Sequence, residues 1–325
     1  MFQLKAKESV SEGIKRNVTR ELEKIIASLG TKRKSLRGDN SEAEVAHEAR
    51  KAFKKLRAAV RLIREDLGDE VYHEENCYFR DTARPLTSIR DAQMLVETLD
   101  KIRGQFATQI NKSSVAKMQD TLVKNQQEVA HRVVDGEKAF INVKNAASLA
   151  LARVSDWKID RTGWEALEAG LRRVYRTGHR ALRLAEDNPS VANLHEWRKQ
   201  VKYLWHTLQL IEPAWTDHEK DLGDQFHRLS RILGEDHDLA VLRETLAADP
   251  LAYGGHALLK DLFTLIDRNR KELEREAFAL GRPLYKDLPR VFTEKIESYW
   301  KAWAGVRTPE KTRIPIRAQP ARLGQ

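Results

Sequence analysis

The chain repeats itself. His47-Glu48-x-Arg50-Lys51 returns as His195-Glu196-x-Arg198-Lys199, and Lys54, Leu56, Leu62 and Ile63 return as Lys202, Leu204, Leu210 and Ile211, all at an offset of 148 residues. Downstream, "RDAQMLVETL" (90–99) aligns with "HDLAVLRETL" (237–246) at an offset of 147, which pairs Asp91 with Asp238. Upstream, "GIKR" (13–16) aligns with "GLRR" (170–173). Two copies of about 150 residues therefore fill the 325-residue chain. Homologous halves commonly pack about a pseudo-two-fold axis, so a surface that one half offers is offered twice.

Each copy reads as helical. Glycine and proline are sparse and separate long segments of helical periodicity, and the Val/Ile/Thr alternation of strands is missing. The pattern predicts helices over roughly 9–29, 43–66, 70–83, 86–103, 106–135, 137–154, 162–187, 191–211, 217–233, 236–247, 254–279 and 286–303. Breaks are expected at 30–40, Gly68, Gly104, Gly136, 187–190, Pro213, Pro250, 253–255 and "GRP" (281–283). The expected class is all-α, with each half a helical bundle. The segment 305–325 carries three prolines and five basic residues with no periodicity, and is expected to be a disordered basic tail.

The repeated helix has two unlike faces. At 100° per residue, Ala49, Phe53, Leu56, Val60 and Ile63 cluster on one side, and His47, Arg50, Lys51, Lys54 and Arg61 on the other. In the second copy Trp197, Val201, Leu204, Leu208 and Ile211 oppose His195, Arg198, Lys199, Lys202 and His206. A solvated helix face ordinarily mixes signs, because like charges at i,i+4 repel by a few tenths of a kcal/mol. These ridges are nearly unrelieved by acids, and the same self-repulsion recurs 148 residues later. With a net charge of +10, the pattern points to a bound polyanion that relieves it. Arginine offers a planar fork matched to phosphate oxygens and lysine a point charge. Few aromatics interleave with the ridges, chiefly Tyr203 and Trp205, so phosphate recognition is favoured over base stacking.

Cys77 is the single cysteine, which excludes an intramolecular disulfide framework and fits a reducing compartment. The first residues lack the apolar core of a signal peptide. No stretch approaches the roughly 20 apolar residues that span a bilayer, so no membrane partner and a cytoplasmic location are expected.

"HEARKAFKKLRAA" resembles the signature of the CHAD (conserved histidine α-helical domain) family, and "HEWRKQVKYLW" resembles its second-half counterpart. "IRDAQML", "LGEDHDLAVL" and the ending "ALGRPLYKDLPRVFTEKIESYWKAW" are similar to further family segments. The resemblance covers 1–304, with halves of about 1–155 and 160–304. It implies two four-helix bundles, related by pseudo-two-fold symmetry, around a basic cavity that binds inorganic polyphosphate. His47, Arg50, Lys51, Lys54, His195, Arg198, Lys199 and Lys202 would line it, joined by Arg90 and His237. Arg16, Arg57, Arg84, Arg173, Arg176 and Arg231 complete the expected basic set, Arg57 as a flank contact. Asp91 and Asp238 would orient and charge a neighbouring Arg or His, or close a salt bridge at a helix start. The chain departs from the family pattern at Gln93, Ala240, Tyr203 and Trp205, so the second half is expected to bind through fewer charges.

The His-Asp pair in "EDHD" (235–238) raises a metal-dependent phosphohydrolase as an alternative, but its first-half counterpart is Arg90, which repels a metal. No P-loop or G-x-G-x-x-G occurs, nor the E-x-E-x-K of a triphosphatase module. The expectation is a non-catalytic binding protein without cofactor or metal, with polyphosphate and granule-associated proteins as partners. Sequence-nonspecific nucleic-acid binding is the lesser alternative.

Overall fold

A computed structural model describes residues 2–6, 8–30, 42–106, 112–214 and 217–305. Among these every regular element is a helix: α1 (Val10–Gly30), α2 (Glu42–Leu62), α3 (Arg64–Ala83), α4 (Thr87–Gln105), α5 (Lys112–His131), α6 (Ala139–Arg153), α7 (Glu165–Asp187), α8 (Val191–Ile211), α9 (Asp217–Ala248), α10 (His256–Leu284) and α11 (Pro289–Gly305). The expected tail lies, beyond Gly305, outside the described residues.

The apolar stripes of the repeated helices form the core. Ala49, Phe53, Leu56, Val60 and Ile63, with Trp197, Val201, Leu204, Leu208 and Ile211, are all at most 1% exposed. Burying one such side chain is worth about 1.5–3 kcal/mol, so each stripe fixes its helix firmly. Equivalent helices of the two copies pack on each other, α2 on α8 and α4 on α9. The pairings α1–α2, α2–α4, α4–α5 and α1–α6 recur in the second copy as α7–α8, α8–α9, α9–α10 and α7–α11. The chain start is tied across the copies by a hydrogen bond from the Leu4 N–H to the Leu210 carbonyl (2.8 Å).

The copies do not fold around separate cores. One core joins α1, α2, α3 and α6 to α7, α8 and α11; a second joins Leu99, Ile102 and Met118 of α4 and α5 to Leu242, Leu246 and Leu262 of α9 and α10. Three helix boundaries also differ from expectation. Residues 217–248 form one helix where two were expected, whereas the first copy breaks at the equivalent place. There Pro85 stands at the position of Ile232, and without the N–H an α-helix needs, residues 84–86 form a 3-10 turn. Gly104 lies inside α4. Gly281 and Pro283 lie inside α10, and at Gly281 a Cβ would come within 2.5 Å of the Trp197 ring. That glycine serves a close helix contact there, and the helix runs through it. At Gly68 the backbone does leave the helical region (φ 75°).

Candidate functional site

Four helices, the α2/α8 pair and the α4/α9 pair, enclose a cavity of about 760 Å³. Ser190 caps α8 by accepting a hydrogen bond from the Asn193 N–H (3.3 Å), which sets the register of the basic face that follows. From α2 come His47, Arg50, Lys51 and Lys54; from α8 come His195, Arg198 and Lys202. Arg90 enters from the first turn of α4 and Asp91 from the residue that follows it, and Arg231, His237 and Asp238 enter from α9. Eight Arg and Lys side chains and five histidines line the cavity against three carboxylates, Asp91, Glu235 and Asp238. The wall is strongly cationic.

Glu97 pairs with Arg90 (3.0 Å) and Glu48 with Lys51 (3.3 Å), but the deeper cations are poorly relieved by the protein. Arg50 Nη1, Arg198 Nε and His195 Nδ1 are buried with no hydrogen-bond partner among the described residues. Burial, and then the neighbouring charges of Arg50, Arg198 and Arg90, push Lys54 down to about 8. Lys202 is pushed well below the ordinary lysine range by burial, then by Arg198 and Lys54. Burial also lowers Arg50 and Arg198, opposed by Asp91 and Asp238. The His195 and His237 rings lie 4.4 Å apart. Burial first, and His237 and Arg198 next, push His195 down to about 4; burial and Arg90 lower His47. Burial raises Asp91 despite Arg50 and His237. The Asp238 carboxylate lies 3.3 Å from His237 Nδ1.

Six residues of the expected basic set stand outside this cavity. Arg16 is occupied by Glu8 (2.5 Å) and the Gln3 carbonyl (2.8 Å), and its counterpart Arg173 pairs with Glu65. Arg176 is exposed on α7, outside the cavity. Lys199 turns to Glu196 (2.5 Å) while its counterpart Lys51 lines the cavity. Arg57 and Arg84 line an adjoining cavity with Arg50 and Lys54. Arg61, on the cationic side of α2, lies 3.8 Å over the Tyr203 ring and so belongs to the α2–α8 interface. His206 faces the cavity as a 2% exposed side chain pushed down to about 3 by burial, with Nδ1 3.0 Å from Gln209 Oε1. It is neutral at pH 7 and contributes no charge.

Sequence reasoning missed Lys101, His227 and Trp205 as lining residues. Lys101 was legible, since it follows Arg90 by 11 residues, three helical turns on the same face. His227 was legible by the same rule, since it precedes Arg231 by four residues, about one helical turn on the same face. Among the described residues no group of three or more His, Cys, Asp or Glu is placed to hold a metal ion, and no helix is long and apolar enough to cross a membrane.

Fold and cavity together define an all-α helical-bundle protein built around a cationic chamber. The sequence matches the CHAD domain family over residues 20–247, and the chain belongs to that family. The fold is similar to the crystal structure of the CHAD domain from the plant Ricinus communis, with a TM-score of 0.57 and 15% identity over 92% of this chain and 94% of that one. No curated protein matches the sequence.

Proposed function

We propose that the protein binds inorganic polyphosphate in the central cavity without catalysing a reaction on it. The observation that carries this reading is the convergence of Arg50, Lys54, Arg198 and Lys202, two from each copy, on one chamber where guanidinium N–H groups lack protein partners. A chain of phosphates satisfies those donors and relieves the mutual repulsion in one step. The family resemblance supports the choice of ligand. Trp205 is engaged by imidazoles, its centroid 4.3 Å from His227 and 4.4 Å from His206, which disfavours a nucleobase stacking there. Asp238 sits against His237, and Asp91 offsets the charge of Arg50 through space. A cytoplasmic location at polyphosphate granules, beside granule-associated proteins, follows from the ligand.

Calorimetric titration with long-chain polyphosphate tests the reading. Binding is expected at low salt, weakening steeply as salt rises through loss of counterion release. DNA at equal phosphate concentration is expected not to displace the chain. The pH response has a definite sign. His195 is neutral in the free protein at pH 7, and a bound polyanion favours its charged form, so binding takes up protons. Affinity therefore rises as pH falls from about 7.5 to about 5.5, by up to tenfold per unit for each proton taken up. The free protein behaves oppositely: the unfolded imidazole titrates near 6.5, so stability is lost as pH falls from there toward about 4. Absence of binding at low salt overturns the reading, displacement by DNA favours the nucleic-acid alternative, and a flat pH response takes His47 and His195 out of contact with phosphate.

A further inference from the structure

Arg50, Lys54 and Thr87 line a second cavity, of about 560 Å³, as well as the central one. Its further cations are Arg57, Arg80 and Arg84, and its one acid is Asp81. Arg80 holds Asp81 through Nε (2.9 Å) and Nη2 (2.8 Å), while Arg57 donates Nε to Asn76 Oδ1 at 3.2 Å. Cations therefore run without interruption from the central cavity into this pocket.

The other end of the row is built differently. At the offsets that relate the copies, Arg57 corresponds to Trp205, Arg80 to His227 and Arg84 to Arg231. In place of three guanidiniums this end has one, plus an indole stacked on an imidazole (11° between planes). Beyond Trp205 a third cavity, of about 420 Å³, has Lys51 and Lys55 in its walls beside Phe2 and Glu212. Both lysines are already paired, Lys51 with Glu48 and Lys55 with Glu21, so this cavity offers an anion less than the five cations of the second one.

We propose that a polyphosphate chain too long for the central cavity leaves it in one direction, past Arg50 and Lys54, into the Arg57–Arg80–Arg84 pocket, which is a second phosphate subsite. This rests on the central cavity being the primary site. Planar guanidiniums suit the bridging and terminal oxygens of a phosphate chain, and three of them on one wall give that end an affinity the aromatic end lacks.

The test compares tripolyphosphate, short enough to lie within the central cavity, with long-chain polyphosphate. The probes are titrated against wild type, Arg80→Gln/Arg84→Gln, and Lys286→Gln/Lys295→Gln. The last variant removes the same charge at exposed positions outside all three cavities. Arg80 and Arg84 are themselves exposed, so the fold is expected to tolerate their loss. The proposal expects tripolyphosphate to bind all three proteins alike. It expects long chains to bind Arg80→Gln/Arg84→Gln about tenfold more weakly than either of the others. Equal loss in the two double variants, equal loss for both probes, or no loss overturns the second subsite while the central one stands. Wild type that binds neither probe overturns the central site, and this proposal with it.

Discussion

The Lys54→Met/Lys202→Met double variant is expected to melt higher than the parent protein and to lose almost all affinity for polyphosphate. The two effects share one cause. Both amino groups sit in a chamber where burial and neighbouring arginines oppose their charge. Lys54, held near 8 against an ordinary 10.5, is charged at pH 7 in both folded and unfolded states. The folded state carries the penalty, on the order of 3 kcal/mol. That penalty is relieved only as pH rises through the interval from about 8 to about 10.5, where the folded lysine gives up its proton first. Methionine keeps the volume and removes the charge, so the free protein gains stability. A bound phosphate chain turns the same groups into charge-assisted contacts of about 1.5–3 kcal/mol each, so losing both lowers affinity about a hundredfold to ten-thousandfold. Thermal melting with and without polyphosphate, alongside titration, reads both effects. A variant that melts lower than the parent and still binds would show that these lysines hold the fold and do not meet the ligand.

Gly170→Ala is expected to destabilise the protein by about 3 kcal/mol or more. In an exposed helix the same change stabilises by about 1 kcal/mol, because alanine is the better helix former. Gly170 is in α7, where the helix passes the end of α2 so closely that a Cβ would lie 1.9 Å from the Leu62 carbonyl oxygen and 2.8 Å from its Cα. Backbone atoms at the end of a core helix have little room to retreat, so the helices must separate and unpack the shared core around Leu62, Leu167 and Leu171. The repeat supplies its own control. At Gly13, the counterpart of Gly170, a Cβ meets the Leu4 side chain at 2.5 Å and the Glu8 carboxylate at 2.8 Å, both of which can turn aside. Gly13→Ala should therefore be much milder. Urea denaturation of the two variants decides it, and a Gly170→Ala protein as stable as wild type would contradict the close crossing.

The ridges were legible because they need only the helical period. Once α2 and α8 are helices with buried apolar stripes, Arg50, Lys54, Arg198 and Lys202 have one direction left to point. The basic residues outside the repeated helices were less legible for a specific reason. "GIKR" and "GLRR" mark Arg16 and Arg173 as equivalents, yet their acid partners Glu8 and Glu65 meet them only through turns and tertiary packing. Local partners can mislead as well. Lys51 and Lys199 each have a glutamate three residues earlier, and only Lys51 also faces the cavity. The departures Tyr203 and Trp205 read as lost charges. In the fold Tyr203 becomes a platform for Arg61 and Arg57 of the other copy, at 3.8 and 5.5 Å, and Trp205 becomes part of the cavity wall. No pattern within one helix reveals a contact made by its partner.

A crystal structure of the protein with tripolyphosphate tests the central claim most directly. Phosphate oxygens are expected within hydrogen-bond distance of Arg50 Nη1 and Arg198 Nε, with the Lys54 and Lys202 amines turned onto the same anion. Tripolyphosphate ordered only on outer-surface arginines such as Arg176, with the central cavity holding water alone, would contradict it.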